Sequence, residues 1–152
     1  MDVAAIRAIF DAAVAGGDTL TPEPGAGEAE FRAYWFPTKS RVFVAIVDKQ
    51  IVGTYMLHPN QTGLGDHVAN AGYLVAPTHR GRGIAGAMCE HSLATARAAG
   101  FRAMQFNFVV GTNETAVRLW QKHGFEIVGR LPKVFRHATL GEVDAFVMHR
   151  FL

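Results

Sequence analysis

Apolar residues recur every three or four positions in several stretches of the chain, which is the spacing of amphipathic helices. Pro37 closes the second of these stretches, because a proline disfavours helix at the residue before it. Gly100 and Gly124 follow the last two, and glycine is the usual residue just beyond a helix. The predicted helices cover residues 3–14, 28–35, 83–98 and 113–123.

Runs of β-branched and apolar residues bounded by polar turns predict the strands. Asp48-Lys49-Gln50 separates the first two strands and makes them a hairpin. The tract Pro132–Leu140 is expected to be a loop that reaches a substrate or a partner subunit. This order of elements predicts an α+β fold with a mixed sheet, in one domain over residues 1–152. The predicted strands are 41–47, 51–58, 68–75, 103–110, 126–131 and 143–151.

Composition narrows the class of protein. The chain has 152 residues, of which 49% are apolar and 18% charged, enough for one globular core. A formal net charge of +2 is too small to indicate nucleic-acid binding. The one cysteine, Cys89, cannot form an internal disulfide, and no apolar run approaches the roughly 20 residues that span a bilayer. A cytoplasmic protein without a membrane segment is therefore expected. The histidines lack zinc-motif spacing, so no metal is expected.

The most informative stretch is residues 74–86, where a predicted strand runs into a basic turn with glycines and a helix begins at once. Glycines let the backbone approach a ligand, several N–H groups converge, and the helix dipole adds positive charge. Two arginines in such a turn repel each other unless an anion is bound. The turn therefore predicts a diphosphate site. Its expected members are Leu74, Val75, Arg80, Gly81, Arg82, Gly83, Ile84, Ala85 and Gly86.

Gly81, Gly83 and Gly86 also form the pattern G-x-G-x-x-G, which is the fingerprint of dinucleotide-binding folds. Those folds need a different context, because this turn lies mid-chain after a hairpin and no acidic residue ends the next strand. A dinucleotide-binding fold is therefore excluded. The spacing Arg80-x-x-Gly83-x-Ala85 instead resembles the Q/R-x-x-G-x-G/A signature of the GNAT superfamily of N-acetyltransferases. The resemblance implies that the turn binds the pyrophosphate of acetyl-CoA. It also implies a central mixed sheet with splayed strands, flanked by helices.

A second motif, N-x-x-A-x-x-L-W-x-x-x-G-F over residues 113–125, resembles the later family motif N-x-x-A-x-x-L-Y-x-x-x-G-F. In the family the asparagine contacts the pantetheine arm and the helix lines the thioester. The resemblance carries these cofactor-binding roles to Asn113, Ala116 and Trp120. Asn113 also has the side chain of a helix N-cap, and both roles are compatible.

The sequence departs from the family pattern at two places. Trp120 occupies the position of a tyrosine that often protonates the departing thiolate, and an indole N–H is a donor but not a usable acid. Trp120 then walls the pantetheine tunnel or donates a hydrogen bond, and the proton comes from water, another residue or the incoming amine. The second departure is that a helix opens the chain where the family has a strand, so the first edge strand is absent or the sequence is truncated.

Asparagines on two adjacent predicted strands indicate where an amine binds, because asparagine is a poor strand former. Asn70 lies near the start of one strand and Asn107 within the next. Satisfying backbone groups at strand ends is the alternative role for such residues. Strict alternation places one set of side chains on each side of the second strand. The sets are Met104, Phe106 and Phe108 against Gln105, Asn107 and Val109.

The segments around Asn70, Asn107 and Asn113 are similar to fungal N-acetyltransferases that detoxify proline analogues such as azetidine-2-carboxylate. This similarity implies that Asn70 and Asn107 hold substrate and cofactor. The expected function is direct transfer of the acetyl group of acetyl-CoA to the amine of a small molecule, an amino acid or a proline analogue. Acetylation of a protein N-terminus or lysine, and a non-catalytic acyl-CoA-binding module, remain alternatives, and a homodimer is left open.

Several roles stay open at this level. Backbone N–H near Val75, together with the Asn107 amide, is expected to stabilise the oxyanion. Cys89 lies on the apolar stripe of a helix and is expected in the core. An aromatic cluster packs the core or walls the acceptor site; it comprises Phe31, Tyr34, Trp35 and Phe36. The candidate general bases are His58, Asp66, His67, Glu142 and Asp144.

Overall fold

The computed structural model describes residues 2–152, which form one six-stranded sheet with two helices packed on each face. The helices are α1 (Val3–Gly16), α2 (Glu28–Trp35), α3 (Ile84–Ala98) and α4 (Glu114–Lys122). The strands are β1 (Arg41–Val47), β2 (Gln50–Pro59), β3 (Val68–Val75), β4 (Ala103–Val110), β5 (Glu126–His137) and β6 (Gly141–Phe151). The spatial order is β1-β2-β3-β4-β6-β5. The predicted mixed α+β sheet is confirmed, and within these residues no strand precedes α1.

Side-chain caps fix the beginnings of two helices. The Asp2 carboxylate accepts a hydrogen bond from the N–H of Ala5 at 3.1 Å, at the start of α1. The Asn113 side chain accepts from the N–H of Ala116 at 3.4 Å, at the start of α4. These bonds satisfy donors that a helix leaves unpaired in its first turn. The N-cap role predicted for Asn113 is confirmed.

Two apolar clusters, one on each face of the sheet, hold the layers together. On one face α3 and α4 pack on the sheet; this cluster includes Leu57, Ala71, Met88, Leu93, Met104, Phe106, Trp120 and Met148. On the other face α1 and α2 pack; this cluster includes Ile6, Phe10, Phe31, Trp35, Met56 and Leu74. The two clusters assign each strand residue to a face, and that assignment locates the polar side chains discussed below.

The sheet opens between β3 and β4, its one parallel pair within residues 2–152. These strands pair only at Val68–Ala103 and Ala69–Met104, near their N-terminal ends. On its other side β4 changes register against β6 between Phe106 and Val109. Such a bulge bends and twists a strand, and it directs β4 away from β3. The expected splayed strands are confirmed.

The bulge also overturns the strict alternation expected along β4. Phe106 and Val109 both belong to the α3–α4 cluster, although an odd number of positions separates them. Phe108 lies instead near Phe135, with ring centroids 6.2 Å apart. The prediction placed Phe108 with Phe106 and Val109 opposite, which is wrong because one extra residue reverses the faces beyond it.

The predicted loop Pro132–Leu140 is also wrong, because β5 continues to His137 and the turn before β6 is short. Pro132 is tolerated because β5 is an edge strand, where a missing N–H costs no ladder bond. A register shift between Leu131 and Phe135 accommodates Lys133, which has a positive φ of 52°. The Asp144 carboxylate accepts a hydrogen bond from the N–H of Lys133 at 2.9 Å and stabilises this distortion.

No helix described by the structure is long and apolar enough to cross a membrane.

Candidate active site

The turn between β3 and α3 presents a run of free backbone donors. Gly81 and Gly83 have positive φ values of 74° and 79°, a conformation that L side chains avoid. His79 donates to Ala76 and Ala87 donates to Gly83, but within residues 2–152 no N–H from 80 to 86 donates to a backbone carbonyl. These donors could bind an anion at the N-terminus of α3.

Arg80 and Arg82 add positive charge to this turn. Both side chains are exposed, and neither forms a salt bridge within residues 2–152. A Cβ added at Gly81 or Gly83 would meet nothing within 4 Å. The glycines are therefore required by backbone conformation rather than by packing, and the space beside them is open to a ligand.

Backbone groups of β3 line the gap that opens toward β4. Ala76 donates to the Val52 carbonyl at 2.7 Å, and Val75 lies opposite Gly53 in the β2–β3 ladder. Because successive residues of a strand direct their N–H groups to opposite sides, Tyr73 and Val75 direct theirs away from β2, toward β4. The β3–β4 ladder ends at Ala69, so it offers these groups no partner. An extended ligand in the gap could pair with them as an added strand does.

Trp120 closes the gap on the α3–α4 face. Its ring lies 4.8 Å from that of Tyr73 on β3 and 5.1 Å from that of Phe106 on β4. The side chain is 8% exposed and belongs to the apolar core. This packing gives Trp120 the position of a wall between the two splayed strands. Ala116 packs against the same cluster one turn earlier on α4.

A tyrosine hydroxyl lies below this wall but is held in the interior. The Tyr73 hydroxyl forms a short hydrogen bond with the Ser92 hydroxyl, at 2.5 Å, and burial raises the pKa of Tyr73 well above its ordinary value. Ser92 donates in turn to the Cys89 carbonyl at 2.7 Å. Burial also raises the pKa of Cys89 to about 12, so this thiol is not a ready nucleophile. The core position predicted for Cys89 is confirmed.

The opposite face of the gap carries amides. Asn70 shares its face of β3 with Leu74, and Asn107 shares its face of β4 with Gln105, so both project toward the side of α1 and α2. The Asn70 side chain forms no hydrogen bond within residues 2–152 and is half-buried. The structure thus brings Asn70 and Asn107 to the same side of the open strands.

A third asparagine, missed from sequence, joins this group. The Asn107 Nδ2 donates to Asn60 Oδ1 at 2.6 Å, and Gln105 Nε2 donates to Asn107 Oδ1 at 2.9 Å. Asn60 follows β2, so this contact crosses the intervening strand β3. The signal for Asn60 was weak because it lies in a polar, glycine-bearing loop, where asparagine is common.

His58 lies beside the amides. It stands opposite Asn70 in the β2–β3 ladder, which puts both side chains on one face. Burial lowers the pKa of His58, partly offset by the hydrogen bond between its Nδ1 and the Pro59 carbonyl at 2.9 Å. A carbonyl only accepts, so Nδ1 carries the proton and Nε2 has a free lone pair in the neutral ring. His58 thus has the protonation state of a general base at neutral pH.

The other base candidates have different surroundings. Hydrogen bonds from the Lys133 N–H and from the Arg130 guanidinium hold the pKa of Asp144 below its ordinary value; the bond from Arg130 measures 2.8 Å. Both bonds connect Asp144 to the distorted part of β5. Asp66 ends the short helical turn after β2, and His67 is exposed just before β3. Glu142 is exposed at the start of β6. Within residues 2–152, no hydrogen bond joins any of these four side chains to Asn70 or Asn107.

The aromatic residues of α2 and the position after it lie partly in the core and partly beside the gap between β3 and β4. Phe31 and Trp35 are buried, and Trp35 Nε1 donates to the Thr54 hydroxyl at 3.2 Å. A Cβ on Gly72 would lie 3.4 Å from the Trp35 ring, so Trp35 packs directly on β3 beside the gap. Tyr34 lines a cavity of about 320 Å³ with Thr21, Pro22, Glu30 and Ala33.

Known proteins share these features. The model of the acetyltransferase (GNAT) family matches residues 10–125. The N-acetyltransferase aca1 of Schizosaccharomyces pombe is 34% identical over 98 residues, which are 64% of this chain and 47% of that protein. The chain thus spans about half the length of this curated relative. Its fungal source fits the resemblance noted above.

Two solved structures are similar over nearly the whole chain. A GCN5-related N-acetyltransferase from Kribbella flavida is 40% identical, with a TM-score of 0.93, over 100% of this chain and 94% of its own. A ribosomal-protein-alanine N-acetyltransferase from Brucella melitensis is 25% identical, with a TM-score of 0.83, over 99% and 94%. The chain therefore belongs to the acetyltransferase (GNAT) family.

Proposed function

We propose that this protein transfers the acetyl group of acetyl-CoA to the amine of a small molecule. The observation that carries the proposal is the gap between β3 and β4, which opens onto a basic turn with free N–H donors. The turn binds the diphosphate through the N–H groups of residues 80–86, and Arg80 and Arg82 attract it. The pantetheine arm then lies along Tyr73 and Val75 and pairs with their backbone, while Asn113, Ala116 and Trp120 line its other side.

The amine binds on the face of α1 and α2. Asn70 and Asn107 offer uncharged donors and acceptors that fit the carboxylate and amine of an amino acid or a proline analogue. Trp35 supplies an apolar wall. In this arrangement acetyl-CoA lies within the gap between β3 and β4, and the acceptor amine approaches its thioester from the face that carries Asn70 and Asn107.

In this arrangement the amine nitrogen attacks the carbonyl carbon of the thioester, and the oxygen of that carbonyl group becomes an oxyanion. The Val75 N–H stabilises that charge, while the free N–H of the Asn107 amide binds the acceptor. His58 Nε2 accepts the proton from the amine, directly or through one water. The tetrahedral intermediate then expels the CoA thiolate, which takes a proton from solvent because Trp120 cannot supply one.

A contact beside β4 favours compact acceptors over extended peptides. The Ala138 N–H, in the β5–β6 turn, donates to the Gly17 carbonyl, at the end of α1, at 2.9 Å. A cavity of about 240 Å³ beside this bridge is lined by residues of four segments, among them Asp18, Thr112 and His137. The bridge leaves little room for a peptide to pass between α1 and the hairpin.

The second candidate is a peptide N-acetyltransferase, which the similarity to the ribosomal-protein-alanine enzyme favours.

The experiment that decides between the two functions measures the release of free CoA thiol from acetyl-CoA in the presence of a panel of amines. The panel holds azetidine-2-carboxylate, proline, other amino acids and peptides that begin with alanine. We expect turnover with compact amino acids and little with peptides. Higher kcat/KM for peptides, or binding of acetyl-CoA without turnover on any amine, would contradict the proposal.

The Asn107→Ala variant tests the acceptor face in the same assay. Losing one substrate hydrogen bond of about 1.5 kcal/mol lowers kcat/KM for the best amine roughly tenfold. Gln61→Ala is the matched control, since Gln61 is an exposed amide in the neighbouring loop. Equal kcat/KM in Asn107→Ala and Gln61→Ala would remove Asn107 from the site.

A further inference from the structure

The Asn107 amide is held at both ends. Its Nδ2 donates to Asn60 Oδ1 at 2.6 Å, and its Oδ1 accepts from Gln105 Nε2 at 2.9 Å. The three side chains form a chain of amides in one direction, from Gln105 through Asn107 to Asn60. A primary amide has two donor hydrogens, so Asn107 keeps one free N–H, and its direction is set by these neighbours.

Without its neighbours this amide would not hold a single orientation. Asn107 is exposed, and the two-fold torsion of an asparagine side chain lets its oxygen and nitrogen exchange places at little cost. Gln105 approaches along the same strand, whereas Asn60 belongs to the loop after β2 and reaches Asn107 across β3. The Asn60 backbone is itself fixed, because its N–H donates to the Val68 carbonyl at 2.8 Å. The Asn60 side-chain oxygen therefore starts from an anchored backbone, which places it where it can orient the Asn107 amide.

We propose that Asn60 is a positioning residue for the acceptor: its side-chain oxygen fixes the Asn107 amide so that the free N–H faces the bound amine substrate. This inference rests on the proposed function, because it assigns a role in the same acceptor site. Asn60 itself does not touch the thioester, so its effect passes through Asn107 alone. The expected signature is a change in amine binding that disappears when Asn107 is absent.

The kinetic test is a double-mutant cycle of Asn60→Ala and Asn107→Ala. Asn60→Ala should raise KM for the best amine about five- to tenfold, the size of one modest hydrogen bond. Its kcat and its KM for acetyl-CoA should stay close to those of the parent. In the Asn107→Ala background the same change should have no further effect on the amine KM. Asn60→Asp keeps an acceptor oxygen in place and should restore most of the affinity, while Gln61→Ala should behave as the parent.

A spectroscopic readout separates the two proposals. In 15N-labelled protein, the side-chain amide signals of Asn107, assigned with Asn107→Asp, should shift in Asn60→Ala but not in Gln61→Ala. If the signals shift and an active parent shows unchanged amine KM in Asn60→Ala, or equal losses in both backgrounds, Asn60 is only structural and the inference is overturned, while the proposed function stands. If the parent turns over no amine, the proposed function fails and this inference falls with it. Unshifted signals contradict the contact itself.

Discussion

At the scale of single residues, the surroundings of two side chains separate a candidate base from a structural carboxylate. His58 is half-buried beside Asn70, has a lowered pKa and keeps Nε2 free. Asp144 accepts hydrogen bonds from the Lys133 N–H and from Arg130, which favour its charged form and lower its pKa. A carboxylate so stabilised is a weak proton acceptor, whereas a neutral imidazole is a good one. Sequence offered both with equal weight, because their partners are distant in the chain.

The pH dependence of kcat tests the role of His58. Burial lowers the folded-state pKa of His58 from its ordinary value, so the ring is neutral at neutral pH and gains a proton only as the pH falls through the lowered pKa. With saturating amine and acetyl-CoA, kcat should therefore be level near neutral pH and fall on the acid side, below the ordinary range of a histidine.

The matched variants for this profile are His58→Gln and Asp144→Asn. Removing a general base lowers kcat about 100-fold or more and should abolish the acid limb in His58→Gln. Asp144→Asn should keep the limb in its place. An unchanged profile in His58→Gln would assign the proton transfer to another group.

At the scale of elements, the end of α1 and the β5–β6 turn are matched to each other. Gly17 has a φ of 64°, and a Cβ on it would lie 2.8 Å from the Ala138 Cβ. Its carbonyl accepts the N–H of Ala138. The glycine thus serves two purposes: it ends α1 in a left-handed conformation, and it admits the hairpin to within hydrogen-bonding distance. This junction fixes where the hairpin lies relative to the acceptor face.

Gly17→Ala should therefore destabilise the protein through both strain and steric overlap. We expect a loss of about 2 kcal/mol or more in the free energy of unfolding, measured by denaturant titration. Gly25→Ala is the control, since Gly25 also has a positive φ of 86° but a Cβ there would meet nothing within 4 Å. Strain alone should cost about 1 kcal/mol in that variant. Equal losses in both variants would show that Ala138 does not press on Gly17.

The periodic elements of the fold could be predicted from sequence, and the irregular ones could not. Helices α3 and α4 have clear apolar stripes and glycine ends, so their limits agree with the structure within a residue or two. The continuation of β5 through Pro132 was missed because its edge position and the Asp144 contact are tertiary features. The bulge after Phe106 was missed for the same reason, since nothing local marks an extra residue in a strand.

At the scale of the whole molecule, the sheet of residues 2–152 opens between β3 and β4, where β3 leads into a basic turn. The bulge in β4 separates β4 from β3, and β3 leads directly into residues 80–86 and α3. Apolar clusters on both faces hold the remaining strands together.

The residues of the basic turn and of α4 could be found from sequence because they lie in contiguous motifs. Asn60 could not, because it reaches its partner across a strand. The central claim is that this opening and turn together bind acetyl-CoA, with the diphosphate as the main anchor.

Isothermal titration of the parent with acetyl-CoA and with S-acetylpantetheine, which lacks the diphosphate and the phosphoadenosine attached to it, together with the Gly83 variant of the turn, tests that claim most directly. We expect one acetyl-CoA per chain and binding of S-acetylpantetheine at least about 100-fold weaker, a difference of about 2.7 kcal/mol. Gly83→Glu should lose acetyl-CoA affinity, because a carboxylate then occupies the turn. Gly25→Glu, at a glycine with a similar positive φ and open surroundings, should keep it. Similar affinities for the two ligands, or parent-like binding by Gly83→Glu, would contradict the account.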